Sequence, residues 1–159
     1  MSNSFGIKDS LELIVIETIS IDRAETREVL IDWERLSEEL DAYDGGAELL
    51  LKYDSTGLRK ITYNVGLSYG SVFTTLYLLG GNPIKITQVE SRFPWKEEES
   101  SLDYEVLNEV TRIDYYIFNW KENRFLSKQS GSENMQEPAD SLLDFQYILD
   151  LVRKVVPQE

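Results

Sequence analysis

The chain has no cysteine among its 159 residues, and this absence excludes several kinds of site. Without thiols there is no disulfide bond, no thiolate metal centre and no cysteine nucleophile. Histidine is absent as well, so the chain lacks the usual general base near neutral pH and the commonest transition-metal ligand. Catalysis would have to depend on carboxylates, lysine, tyrosine or a metal held by oxygen ligands.

Positive charge is scarce, because 16 Lys and Arg stand against 29 Asp and Glu and leave a net charge of −13. A field of this sign repels phosphate backbones and anionic lipid surfaces. We therefore expect neither nucleic acid nor a membrane as a partner. A basic protein is the partner that such a field attracts.

Long apolar runs are also missing. The longest unbroken aliphatic run near the start, residues 13–16, is far shorter than the ~20 residues of a membrane span. No basic region leads into an apolar stretch in residues 1–10, as it would in a signal peptide. These features predict a soluble cytoplasmic protein, or an exported one if a signal peptide has been removed.

The length and the ordinary apolar content predict one domain spanning residues 1–159. We expect an α+β fold in three parts. Residues 1–46 should be a mostly helical, acidic region, and residues 47–130 an antiparallel sheet with an acidic insertion at 90–110. Residues 138–156 should form a C-terminal helix packed on the sheet, with Pro138 in its first turn.

The N-terminal third carries thirteen acids against four basic residues. Residues 11–21 are rich in β-branched side chains and are readable as helix or strand, with helix favoured. From Thr26 the apolar residues Val29, Trp33, Leu36 and Leu40 have helical spacing. They predict a second helix that ends at the glycine pair of residues 45–46.

The middle of the chain predicts the sheet. Short aromatic or β-branched runs at 47–53, 58–65, 71–79 and 84–89 are separated by the turn sequences DSTG, GLSYG and GGNP. These turns leave no room for crossover helices, so the strands should pair as an antiparallel meander. Ile61, Tyr63 and Val65 alternate with polar residues and predict one packed face. Further strands are expected at 110–118 and 124–127.

Three segments of this region resemble a group of uncharacterised bacterial β-meander proteins, many of them exported proteins of the Bacteroides type. They are GLRKI at residues 57–61, LYLLGGNPIKI at 76–86 and DYYIF at 114–118. The resemblance spans roughly residues 47–156. It implies a sheet with packed helices and no assigned activity.

Two motifs resemble known functional sites, a hydrolase nucleophile and a calcium loop, but each is better explained as a turn or the end of a helix. GLSYG at residues 66–70 matches the Gly-x-Ser-x-Gly pattern of hydrolases, but no histidine is present to take the serine proton, so a hairpin turn is expected. Asp41 and Asp44 precede a glycine pair, yet the twelfth position of a calcium loop counted from Asp41 is Lys52. We therefore predict no metal site and no cofactor.

An acidic run next to a tryptophan is the segment most typical of a partner-binding surface. An aromatic ring flanked by acids can seat a lysine or arginine through cation–π and charge-assisted contacts. The candidate partner-binding residues are Trp95, Glu97, Glu98, Glu99 and Asp103.

These observations favour a non-enzymatic protein-binding domain with an acidic surface. A narrower alternative is an immunity-type inhibitor that neutralises a basic toxin. A different alternative is a carboxylate-based hydrolase or a small-ligand binder. In that case Tyr63, Tyr77, Tyr115 and Tyr116 would line a cleft.

Overall fold

The structure, a computed structural model, describes residues 7–40, 45–131 and 137–156. It contains a long N-terminal helix, a large sheet and a C-terminal helix. The helices are α1 (Ile7–Arg23), α2 (Trp33–Leu36) and α3 (Gln146–Val155). The strands are β1 (Arg27–Ile31), β2 (Ala47–Asp54), β3 (Gly57–Leu67), β4 (Gly70–Leu79), β5 (Asn82–Arg92), β6 (Trp95–Lys96), β7 (Ser101–Leu102), β8 (Asn108–Asn119) and β9 (Arg124–Ser130). Two 3-10 turns cover Glu97–Glu99 and Leu142–Phe145.

The main sheet has seven strands in the order β1-β2-β3-β4-β5-β8-β9, and every neighbouring pair is antiparallel. This confirms the α+β meander. The small hairpin β6–β7, between β5 and β8 in sequence, stands outside this sheet. From β2 to β5 the order follows from two-residue turns, which pair each strand with its neighbour in sequence. Longer segments join β1 to β2 and β5 to β8.

One face of this sheet forms the core. Leu51, Ile61, Leu76, Ile86 and Tyr115 are cross-strand neighbours from β2 to β8, and all five are fully buried. The 3-10 turn Leu142–Phe145 and α3 bury their apolar residues in the same cluster. The predicted packing of the C-terminal helix on the sheet is therefore confirmed.

The predicted helix from Thr26 to Leu40 is wrong, although the helix over residues 11–21 is confirmed by α1. Residues 27–31 form the edge strand β1, in which Val29 lies opposite Leu51 of β2. A helix of only one turn follows at Trp33–Leu36, and Asp32 caps it by accepting a hydrogen bond from the Arg35 amide at 3.2 Å. The β-branched residues of β1 complete the sheet, and this pairing outweighs the helical spacing.

The glycine pair does not stop a helix. Gly45 and Gly46 instead exchange backbone hydrogen bonds with Gly66, at 3.1 Å from the Gly45 amide and 2.8 Å to the Gly46 carbonyl. Asp41 and Asp44 of the rejected calcium loop lie outside the described residues.

The C-terminal helix begins later than predicted, and Pro138 is not part of it. The amide of Leu143 donates to the Ser141 side chain at 3.2 Å, which caps the 3-10 turn that leads into α3. The amide of Leu142 donates to Asn123 at 2.7 Å and fixes this start against the turn before β9. Strand β9 extends past the predicted 124–127 to Ser130, and residues 132–136 lie outside the described residues.

The predicted acidic insertion at 90–110 is shorter than expected. Residues 90–92 belong to β5 and residues 108–110 belong to β8. The segment that leaves the sheet is residues 93–107, which we call the excursion. The hydrolase-like motif lies at the β3–β4 hairpin, as predicted, with Ser68 and Tyr69 in the turn.

Candidate functional site: the acidic excursion

The excursion is a small hairpin with its own backbone hydrogen bonding. Trp95 pairs with Leu102 and Lys96 pairs with Ser101, which forms the two-stranded sheet β6–β7. The amide of Asp103 donates to the carbonyl of Pro94 at 2.8 Å and closes the base of the hairpin. These bonds give the segment a defined shape without help from the main sheet.

Three consecutive glutamates form the tip of this hairpin. Glu97–Glu99 make one 3-10 turn, which ends at Ser100 in the left-handed conformation with φ of 49°. One member of the run, Glu99, lies 3.4 Å from the amino group of Lys96. None of the other ion pairs in the described residues involves Glu97 or Glu98.

The excursion is anchored to the rest of the protein at its base. Within the excursion, the rings of Phe93 and Tyr104 meet edge to face, with centroids 5.1 Å apart. The amide of Phe93 donates to the carbonyl of Tyr69 at 2.9 Å. The guanidinium of Arg92 lies over the Tyr69 ring at 4.5 Å. The excursion is thus tied to the β3–β4 turn.

Apolar side chains are exposed next to the acids. Trp95 is 60% exposed and Tyr104 is 66% exposed, and Val106 and Leu107 are exposed as well. Residues 93–107 contain five acids and one lysine, a local net charge of −4. Exposed apolar groups rimmed by polar ones are typical of interaction sites.

The structure brings together all five predicted partner-binding residues, since Trp95, Glu97, Glu98, Glu99 and Asp103 lie on this one hairpin. Sequence reasoning missed Tyr104, Val106 and Leu107. Their signal was the apolar content of residues 104–107, directly after the acidic segment 97–103.

The ring of Trp95 is open to a cation from outside the chain. The cation–π contacts of the described residues use Tyr53, Tyr69, Tyr77 and Tyr116 as the aromatic partner, and none uses Trp95. Indole is the best cation–π acceptor among the side chains.

The four tyrosines proposed to line a single cleft do not do so. In the register of β3, β4, β5 and β8, Tyr63 and Tyr115 point to the α3 side, and Tyr77 and Tyr116 point to the opposite side. Successive side chains of a strand face opposite sides of the sheet, so a shift of one residue places Tyr77 and Tyr116 on the face opposite Tyr63 and Tyr115.

Two weakly exposed carboxylates lie against basic side chains. Asp114 lies 3.4 Å from Arg112 and 4.0 Å from Lys85, and Glu90 lies 3.3 Å from Arg92. Acid–base catalysis by two carboxyl groups needs them to face one reacting bond about 5–9 Å apart. These two acids are arranged as structural ion pairs instead.

A recess of about 600 Å³ beside β9 contains two acids, Glu137 and Asp140. Both residues are exposed, and exposure removes the desolvation that prepares a catalytic acid. In residues 7–40, 45–131 and 137–156, no group of three or more Asp or Glu is placed to hold a metal ion. No helix of this described part has the length and apolar content to cross a membrane.

A second charged cluster lies between α1 and the sheet. Asp22 of α1 is 2.8 Å from the amino group of Lys60 and accepts a hydrogen bond from the Tyr77 hydroxyl at 3.1 Å. Burial, and then the negative charge of Asp22, raise the pKa of Tyr77 from 10.0 to about 12.

We expect this tyrosine to make stability pH-dependent in alkaline solution. Unfolded Tyr77 loses its proton near pH 10 and folded Tyr77 near 12, so the folded state binds more protons between these values. The free energy of unfolding should therefore fall as the pH rises through this window. In denaturant titrations Tyr77→Phe should reduce the fall, and Tyr104→Phe, which removes an exposed phenol, should not. Equal slopes for wild type and Tyr77→Phe would contradict the assignment.

Comparison with known proteins adds no assignment: no family profile, no curated protein and no solved structure matches the chain significantly.

Proposed function

We propose that this chain is a non-enzymatic protein-binding domain and that its excursion docks a basic protein. The observation that carries the proposal is the exposed indole of Trp95 beside the glutamate tip Glu97–Glu99. None of residues 93–107 belongs to the hydrophobic core of the described chain. The exposed side chains of Trp95, Glu97 and Glu98 therefore add nothing to that core, and a partner is a direct reason for their chemistry.

The chemistry of the hairpin fits a lysine or arginine side chain. A cation over the Trp95 ring gains a cation–π contact, and a neighbouring carboxylate adds a charge-assisted hydrogen bond. Tyr104 and Leu107 add exposed apolar area on the same excursion. The negative field of the whole chain accelerates the approach of a basic partner.

Affinity capture with matched variants tests the proposal. The tagged chain is incubated with lysate of the cells that make it, and bound proteins are quantified by mass spectrometry at low and high salt. We expect a basic protein whose binding weakens with salt. Trp95→Ala should reduce its affinity about 30-fold, as is typical of a central aromatic anchor. Glu98→Gln should slow association and reduce the salt dependence.

Two control variants match these changes elsewhere on the surface. Leu143→Ala truncates an exposed apolar residue, and Glu34→Gln removes an exposed charge. Both should bind like wild type. Capture of no basic protein, or equal loss with excursion and control variants, would contradict the proposal. If the captured partner is a toxic enzyme that the chain inhibits, the narrower hypothesis of an immunity-type inhibitor is supported.

A further inference from the structure

Helix α1 presents aliphatic side chains to solvent. Ile14 and Ile21 are buried against the sheet. On the opposite side Leu13, Ile16 and Ile19 are 54%, 63% and 42% exposed. These three are spaced i, i+3, i+6 and share the outer face of the helix. An outward apolar stripe on a surface helix is the reverse of the usual arrangement and indicates a contact surface.

Ion pairs hold α1 in this orientation. Glu17 lies 2.6 Å from the guanidinium of Arg59, and Asp22 lies 2.8 Å from the amino group of Lys60. Both basic residues belong to β3, and their side chains are largely buried, at 14% and 17% exposure. Turning the aliphatic stripe inward would break both pairs: Lys60 would lose the carboxylate of Asp22, and Arg59 would keep only that of Asp54, which lies 2.8 Å away. The stripe is therefore fixed facing outward.

Two charges of the outer face, those of Asp9 and Arg23, lie at equal distances from Ile16, whereas Glu12, four residues before Ile16, has the neutral Ser20 as its counterpart. Asp9 lies seven residues before Ile16 and Arg23 seven residues after it, while Leu13 and Ile19 lie three residues to either side. Asp9 and Arg23 are exposed, and neither has an ion-pair partner within the described residues. Seven residues are close to two helical turns, so the acid and the base lie on the same side as the stripe.

This arrangement fits a second copy of the same helix running antiparallel. About a two-fold axis at Ile16, Asp9 would oppose the partner's Arg23 and Leu13 would oppose the partner's Ile19. The same contacts recur on the other side of the axis, as a two-fold interface requires. A uniformly basic partner helix would instead place like charge against Arg23.

We propose that the outer face of α1 is the interface of a two-fold homodimer, with Ile16 at its centre. This inference does not depend on the function proposed for the excursion. The contact is small, so the dimer forms and dissociates with concentration. Each chain carries a charge of −13, so the association is measured at about 0.15 M salt, where long-range repulsion is screened.

Sedimentation equilibrium of the full chain over a range of concentrations tests this interface. We expect a monomer–dimer equilibrium in the wild type. Ile16→Ser should weaken dimerisation at least ~10-fold, because the substitution is repeated at the symmetric centre. The control Leu143→Ser, at a residue 74% exposed on another element, should leave the dimer unchanged. Circular dichroism confirms that each variant is folded.

A charge exchange tests the antiparallel register separately. Asp9→Arg and Arg23→Asp should each weaken the dimer several-fold, because each creates two like-charge pairs. The double variant should restore the wild-type association. A wild-type monomer at every concentration, a dimer insensitive to Ile16→Ser, or a failure of the double variant to restore association would overturn the proposal.

Discussion

Gly70→Ala is expected to destabilise the protein by about 3 kcal/mol, at the upper end of the cost of overpacking. Gly70 pairs with Arg92 at the end of the β4–β5 ladder. A methyl group at Gly70 would lie 1.9 Å from the Ser91 carbonyl oxygen and 2.8 Å from the Arg92 Cα. Both contacts are with backbone, so relief requires β5 to move away from β4. Glycine permits this close approach of two chains.

Denaturant unfolding measures this effect, and Ser68→Ala is its control. Ser68 is the serine of the hydrolase-like motif and is exposed in the hairpin turn. Its replacement should change the free energy of unfolding by no more than about 0.5 kcal/mol. A large cost at Ser68, or a negligible one at Gly70, would contradict the structural explanation of this motif.

Tyr115→Ala should have the largest effect in the core, about 3–5 kcal/mol. Tyr115 is fully buried, and its ring lies edge to face with Phe145 at 5.0 Å and near Phe125 at 6.0 Å. Its hydroxyl accepts a hydrogen bond from the Ala139 amide at 2.9 Å. Truncation would leave a cavity between β8, β9 and the start of the C-terminal segment.

Tyr115→Phe separates the ring from the hydroxyl. It keeps the aromatic contacts and removes only the acceptor of the Ala139 amide, so we expect a loss of about 1 kcal/mol. The Ala variant should lower the midpoint of denaturant unfolding much more than the Phe variant. Similar losses for the two variants would show that the hydrogen bond, and not the packing, stabilises this site.

The two proposals can be separated by experiment. Trp95→Ala should weaken binding of the basic protein and leave the dimer intact, whereas Ile16→Ser should weaken the dimer and leave each excursion intact. If both hold, the dimer presents two excursions, and a partner with two basic sites would bind with increased avidity.

Local sequence patterns predicted those parts of the fold in which a segment's structure depends mainly on residues close to it in sequence. The alternation in β3 and the short turns around it determine an antiparallel pairing before any tertiary contact is known. The candidate site was predictable for the same reason, because Trp95 and the glutamates are close in sequence. Tyr104 was missed because its exposure depends on how the hairpin closes on Phe93.

Long-range pairing explains the failures. Val29 and Leu36 have helical spacing. Residues 27–31 nevertheless form a strand, because they pair with the free edge of β2, where Val29 lies opposite Leu51. The four tyrosines have similar chemistry in the sequence, and one residue of register sends Tyr77 to the face opposite Tyr63.

The sequence by itself determined the acidic field, the absence of imidazole and thiol chemistry, the meander and the presence of an acidic insertion, because composition and short-range turns suffice for these. Only the tertiary structure decided that residues 27–31 complete the sheet and that Ile16 faces outward. The physical reason is that both depend on partners distant in sequence, the edge of β2 in one case and the buried cations of β3 in the other.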